Sequence, residues 1–155
     1  MDRLAIDGGM PVRAEKIYYG RQWIDEEDVK AVSEVLTSDF VTCGPKVVEL
    51  ERALAEYTGA GYAVAVSNGT AALHCACMAA GIGPGDEVIT TPLTFAASAN
   101  CALYCGARPV FADVDLKTYN IDPTSIESHI TEKTKAVAAV DFTGQAAKIR
   151  EIREI

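Results

Sequence analysis

No apolar run in the sequence approaches the roughly 20 residues that a membrane-spanning helix needs. The start, Met1-Asp2-Arg3-Leu4, lacks a basic region followed by an apolar one, so the expectation is a cytoplasmic chain without an export signal. Positive charge is scarce: 14 Lys and Arg stand against 22 Asp and Glu, a net charge of −8. That balance argues against a general nucleic-acid or anionic-membrane surface and leaves only local anion sites open. Metal-ligand spacing is missing too. The five cysteines, Cys43, Cys75, Cys77, Cys101 and Cys105, include no Cys-x-x-Cys pair. Cys101 and Cys105 share a helical face, yet no further ligands lie near them, so no metal is expected and the thiols read as small buried apolar groups. His74 and His129 are isolated and read as structural. There is no internal repeat or low-complexity segment. Gly81-Ile82-Gly83-Pro84-Gly85 follows a helix pattern and precedes a strand pattern, the reverse of a dinucleotide fingerprint. Asn68-Gly69-Thr70 matches a glycosylation site in letters only.

What is present fits an α/β chain. At 155 residues and 49% apolar content there is enough for a sizeable core. Residues 1–24 show little periodicity and read as an extended arm, within which Tyr18-Tyr19-Gly20-Arg21-Gln22 could line a polar ligand site or simply form a surface strap. Asp25 caps a predicted helix with Val29, Val32, Val35 and Leu36 on one face and acids in its first turn. A loop through Gly44-Pro45 leads to a second amphipathic helix carrying Val47, Leu50, Leu54 and Tyr57, stopped at Gly59. Strands are predicted at 63–66, 87–90, 109–114 and 136–140, alternating with helices over 70–80, 96–104, from Asp122-Pro123, and from Ala147 onward. Such alternation implies right-handed crossovers and a mainly parallel sheet flanked by helices.

The stretch from Ala65 to His74 organises the rest. A strand is predicted to end at Val66 and a helix to begin near Thr70, so Ser67 to Thr70 bridge the two. A helix start leaves backbone N–H groups unpaired at the positive end of the dipole, and Gly69 permits close approach. A phosphate there would meet those N–H groups and the hydroxyls of Ser67 and Thr70. The same residues also suit an ordinary capped turn.

In an open parallel sheet, ligands bind beyond the carboxyl ends of the strands. Those ends carry Ser67 to Thr70, Thr91-Pro92-Leu93-Thr94-Phe95, Asp113 with Asp115, and Asp141-Phe142-Thr143-Gly144-Gln145. Phe95 either plugs the core or offers a face on which a planar ligand can stack.

Taken together these segments resemble the DegT/DnrJ/EryC1/StrS sugar aminotransferases, pyridoxal-phosphate enzymes of the aspartate aminotransferase fold. The matching pieces are Tyr19-Gly20-Arg21-Gln22, Gly44-Pro45-Lys46-Val47, Ala65 to Leu73 and Gly83 to Ile89. They continue through Thr91 to Ala99, Gly106 to Phe111 and Thr134-Lys135-Ala136, in the family's order over nearly the whole chain. The resemblance implies that Asn68, Gly69, Thr70 and Ala71 hold the cofactor phosphate and that Phe95 lies against its pyridine ring. It implies a sugar-nucleotide rim to which Tyr19, Arg21, Gln22 and Gln145 contribute. Asp141 stands where the family usually has His, closer to the branch acting on aminodideoxy sugars, including the pseudaminic acid pathway.

The family's lysine that bonds the cofactor aldehyde, and the aspartate that pairs with the pyridine nitrogen, are expected beyond this chain, so no catalytic residue is assigned within it. Ser128 and Lys133 have the right spacing for the lysine motif but lack its glycine-rich tail. Residues 25–155 therefore read as an incomplete cofactor-binding large domain, cut within a helix and inactive alone. The implied reaction passes nitrogen from an amino acid, usually glutamate, to a nucleotide-linked keto-sugar, in an enzyme that is usually a homodimer. Two alternatives remain at this point: a sugar dehydratase of the same family, or a phosphate-binding αβ module without chemistry.

Overall fold

Strand β1, Glu87–Thr90, is buried along its whole length and forms the axis of a three-stranded parallel sheet in the computed structural model, which describes residues 3–155. Strand β2, Arg108–Phe111, lies on one side of it with Ile89 opposite Val110. Strand β3, Thr134–Val137, lies on the other with Ile89 opposite Val137. A central parallel strand has both faces covered, which is why Val88-Ile89 reads as an unbroken apolar pair.

Successive side chains point to opposite faces of a strand, so Val88 and Ile89 belong to two different cores. Val88 packs with Cys77, Ile82, Cys101, Ala102 and Ala107 beneath helices α3, Gly69–Ala79, and α4, Ala97–Tyr104. The small Ala and Cys side chains let these helices sit close together and close to the sheet. Ile89 packs with Ala112, Ile121 and Ile126, the last from helix α5, Pro123–His129. Ile152 of the terminal helix α6, Ile149–Glu154, rests on this second cluster.

Local chemistry sets the helix ends. Asp122 caps α5 by accepting from the Thr124 N–H, and Pro123 occupies the first turn, where no N–H is needed. Helix α3 gives way at Gly81, whose φ of +71° few other residues adopt, and the Ile82 N–H closes the end on the Cys77 carbonyl.

Residues 64–155 form one of two compact units, and the other ends at Ala63. The first unit holds helices α1, Glu26–Leu36, and α2, Pro45–Thr58. Asp25 and Asp28 make a reciprocal capping box at the start of α1, as the acidic first turn suggested. The apolar stripes were read correctly as periodic, yet neither helix buries a residue, and Val29, Val32, Leu36, Leu50 and Leu54 are all exposed.

Three strand expectations need correction. Residues 63–66 have a strand's composition but belong to none of the three strands of the sheet, whose ladders join β1 to β2 and to β3. The strand expected at 109–114 is Arg108–Phe111, followed by a single antiparallel bridge between Val114 and Ile121. The one expected at 136–140 begins earlier, at Thr134, and its ladder ends at Val137. Apolar letters continue past both ends, so composition alone overran the pairing.

Candidate anion cradle and strand-end rim

Helix α3 runs back toward the amino end of β1, since its last residues lead through Gly81 and Asp86 directly into Glu87. Its N-terminus therefore lies toward the carboxyl ends of the strands. Asn68 caps it in extended conformation, and the side-chain oxygen accepts from the Ala71 N–H at 2.9 Å. The Ala72 N–H is taken by the Asn68 carbonyl. The N–H groups of Gly69 and Thr70 then have no acceptor among the described residues. They stand at the positive end of an 11-residue helix. Beyond its chain neighbours and the helix's own first turn, no heavy atom lies within 4 Å of where a Cβ on Gly69 would stand, so the space beside it is open. Ser67 and Gly69 are exposed and Thr70 is half-buried, and the Ser67 hydroxyl oxygen accepts from the Asn68 side-chain N–H at 3.2 Å.

Past β1 the chain turns sharply: Leu93 N–H donates to the Thr91 hydroxyl, and the Thr94 and Ser98 hydroxyls lie 2.9 Å apart. Between them Phe95 stands 78% exposed. It does not plug the core, and its ring is free to stack on a planar ligand.

The third part of the rim follows β3. Asp141-Phe142-Thr143-Gly144-Gln145 makes one tight turn, in which Gly144 N–H bonds the Asp141 carbonyl and Gln145 N–H bonds the Phe142 carbonyl. Thr143 has a φ of +53°. The Asp141 carboxylate accepts from the Ala147 N–H at 2.8 Å, and Gln145 is exposed. Asn120 holds this turn from the neighbouring loop, and sequence reasoning missed it. Its partners lie 22 and 25 residues away, so no local pattern marks it. On that same loop the Asp115 carboxylate is held below its ordinary range, first by the Lys117 N–H and then by that of Thr118, with Lys148 3.7 Å away.

Asn68, Gly69, Thr70, Ala71, Phe95 and Gln145 thus all belong to the unit 64–155. Tyr19, Arg21 and Gln22 belong to the other unit, each exposed on the arm, where Lys16 lies over the Tyr18 ring at 5.4 Å. Lys133 sits at the opposite edge of the sheet, where its carbonyl accepts from the Glu87 N–H at 2.8 Å, so the Ser128–Lys133 spacing is coincidence. His129 Nδ1 lies 2.7 Å from the Ser125 carbonyl, and His74 packs its ring against Tyr104 at 5.3 Å, both structural contacts. Among the described residues no group of three or more His, Cys, Asp or Glu could hold a metal, and no helix is long and apolar enough to cross a membrane.

Two free N–H groups, two hydroxyls and an unfilled Gly69 position suit a phosphate monoester, and an exposed ring suits a planar heterocycle. The donor set therefore fits pyridoxal phosphate.

Comparison with known proteins points the same way. The family model of the DegT/DnrJ/EryC1/StrS aminotransferase family matches residues 22–155. The spore coat polysaccharide biosynthesis protein SpsC of Bacillus subtilis is 48% identical over 134 residues, which is 86% of this chain and 34% of that protein. A Streptococcus pneumoniae protein in its PLP form superposes with a TM-score of 0.85 at 34% identity, over 90% of this chain and 36% of that one. Helicobacter pylori PseC, an aminotransferase involved in pseudoaminic acid biosynthesis, gives 0.81 at 34% identity, over 90% of this chain and 38% of its own. The chain spans about a third of the length of the curated relatives it matches.

Proposed function

The chain belongs to the DegT/DnrJ/EryC1/StrS aminotransferase family, and from that membership we propose that it is the cofactor-cradling part of a sugar aminotransferase. The whole enzyme would pass an amino group from an amino acid, with glutamate as the expected donor, to a nucleotide-linked keto-sugar used in surface glycans. The pathway in which PseC takes part supports the branch inferred from Asp141. The observation that carries the reading is the start of α3, where the Gly69 and Thr70 N–H groups have no acceptor among the described residues and the space beside Gly69 is open.

When bound, pyridoxal phosphate supplies an electron sink for amino transfer. The chain's own part is to bind and orient. Asn68 holds the first turn of α3 so that its N–H groups meet the phosphate, Ala71 completes that turn, and the Ser67 and Thr70 hydroxyls supply further donors. The Phe95 ring covers one face of the heterocycle. Gln145 contributes to a sugar-nucleotide rim. The exposed apolar stripes of α1 and α2 support a homodimeric full-length form. This 155-residue chain would bind the cofactor without transferring nitrogen.

The test is titration of the purified chain with pyridoxal phosphate and, separately, with UDP-glucose. Saturable binding of the cofactor, tighter than that of the nucleotide sugar and without a borohydride-fixable adduct on a single lysine, is expected. Equal indifference to both ligands would sink the cradle. A single fixed lysine in an active sample would overturn the assignment of this chain as the non-catalytic part.

A further inference from the structure

Asn120 is a polar side chain with only 2% of its surface exposed, and it spends both ends of its amide on one turn of another loop. Its Oδ1 accepts from the Phe142 N–H at 2.8 Å, and its Nδ2 donates to the Gln145 carbonyl at 2.8 Å. The turn so gripped is the rim segment after β3. Residues on both loops take uncommon backbone conformations: Tyr119, next to Asn120, has a φ of +59° and Thr143 has +53°. A non-glycine residue holds such a conformation only where its surroundings over-determine it. Here the determinants are visible. The Tyr119 N–H bonds the Asp115 carbonyl at 2.7 Å, the Asp115 N–H bonds the Asn120 carbonyl at 2.9 Å, and the Tyr119 and Phe142 rings meet at 6.3 Å.

We propose that Asn120 is the positioning residue of the rim: by clamping Phe142 and Gln145 it sets the backbone from which Thr143 and Gln145 reach a nucleotide-linked sugar. This rests on the function proposed above. A clamp on core packing alone would have been served by an apolar residue; instead a buried amide matches one donor to one acceptor, three residues apart. At neutral pH the carboxamide supplies both, whereas a carboxylate in its place would only accept. The phosphate cradle at Gly69 and Thr70 has its own cap in Asn68 and shares no hydrogen bond with Asn120. The clamp therefore governs the sugar-nucleotide side of the site and leaves the cofactor side alone.

N120A and N120D separate this from a general packing role. In N120D a protonated carboxyl can repeat both hydrogen bonds, whereas the carboxylate turns an acceptor toward the Gln145 carbonyl. The charged groups on the two loops are Asp113, Asp115, Lys117, Asp122, Asp141 and Lys148, all present in the wild-type chain, whose own pH response is the control. Amide hydrogen exchange of the whole chain is the first readout. Both variants should lose about tenfold protection or more at Gly144 and Gln145 near neutral pH, with the β1 ladder amides of Val88 to Thr90 unchanged. N120D, but not N120A, should regain protection as the pH falls. Unchanged exchange at Gly144 and Gln145, or an equal loss throughout β1, overturns the proposal.

Binding is the second readout, with pyridoxal phosphate and UDP-glucose as probes. N120A should weaken UDP-glucose about tenfold and leave pyridoxal phosphate within about twofold, a split that a merely structural role would not produce. Equal weakening of both overturns the clamp's selectivity for the sugar side. If the wild-type chain binds neither probe, the functional reading fails by itself, and the exchange experiment still decides whether Asn120 sets the turn.

Discussion

The carboxamide oxygen of Asn68 takes the N–H of Ala71 at 2.9 Å, three residues along the chain, and so fixes which N–H groups of helix α3 remain available. They are those of Gly69 and Thr70. Asn68→Ala removes the cap, which is worth about 1 kcal/mol of helix stability. A lower urea midpoint and weaker pyridoxal phosphate binding are expected together, because the same residue ends the helix and orders the cradle. Loss of stability with intact cofactor affinity would separate the two roles.

Gly69 makes the complementary case. A Cβ there meets nothing within 4 Å, so the fold does not require glycine at this position. Gly69→Val should keep the unfolding free energy within about 0.5 kcal/mol, as an uncrowded surface change does. Its methyl groups would stand in the open space beside the Gly69 and Thr70 N–H groups, and pyridoxal phosphate affinity should drop about tenfold, or about 1.4 kcal/mol. Calorimetry beside a binding titration reads both effects on one sample.

Phe95 stands mostly clear of the protein, so Phe95→Ala should barely alter the unfolding midpoint. Aromatic stacking contributes about 0.5–1.5 kcal/mol beyond area burial, so the expected cost is a roughly two- to tenfold weaker cofactor complex. No change in affinity would remove the ring from the site.

Glu87 predicts a pH dependence. Its carboxylate is buried at the start of β1, where the Arg108 guanidinium at 2.6 Å and the Thr131 hydroxyl at 2.8 Å hold it below its ordinary range. A carboxylate depressed in the folded state adds stability above its unfolded pKa and loses it as the pH falls through the folded value. Urea midpoints should be flat from neutral pH down to about 5 and decline below that. Glu87→Gln should be less stable at neutral pH and decline less in acid, so that the two curves draw together. Parallel curves would show that other carboxylates dominate.

The cysteines predict a reactivity order. Burial pushes the Cys77 thiol up to about 12, reinforced by its neighbour Cys101, and a thiol rather than a thiolate is a poor nucleophile. Cys43 and Cys75 are exposed. An aromatic disulfide reagent should label these two first, and Cys77 and Cys101 only on unfolding, as mapped by mass spectrometry. Early labelling of Cys77 would mean that the α3–α4 core opens readily.

Much of the architecture was legible because it is written in neighbouring residues. The caps at Asp25 and Asp122 each act within three positions, the stops at Gly59 and Gly81 need only a left-handed φ, and β1 matched its predicted span residue for residue. The order of strands and helices then follows from alternation, and with it the edge of the sheet where ligands belong. Pairing could not be read this way. Residues 63–66 carry strand letters, yet a ladder depends on a second segment whose placement no local pattern encodes.

The start of helix α3 was also legible in the sequence, since Ser67-Asn68-Gly69-Thr70 is a local device made of side chains and adjacent N–H groups. The tertiary structure decided what lies across loops. Only folding brings the Asn120 amide to Phe142 and Gln145, more than twenty positions away, and only folding buries Glu87 against Arg108 and Thr131. Helix caps and turns are short-range hydrogen bonds whose partners the chain supplies in order. Clamps and buried ion pairs need two distant segments, and the sheet between them sets their separation.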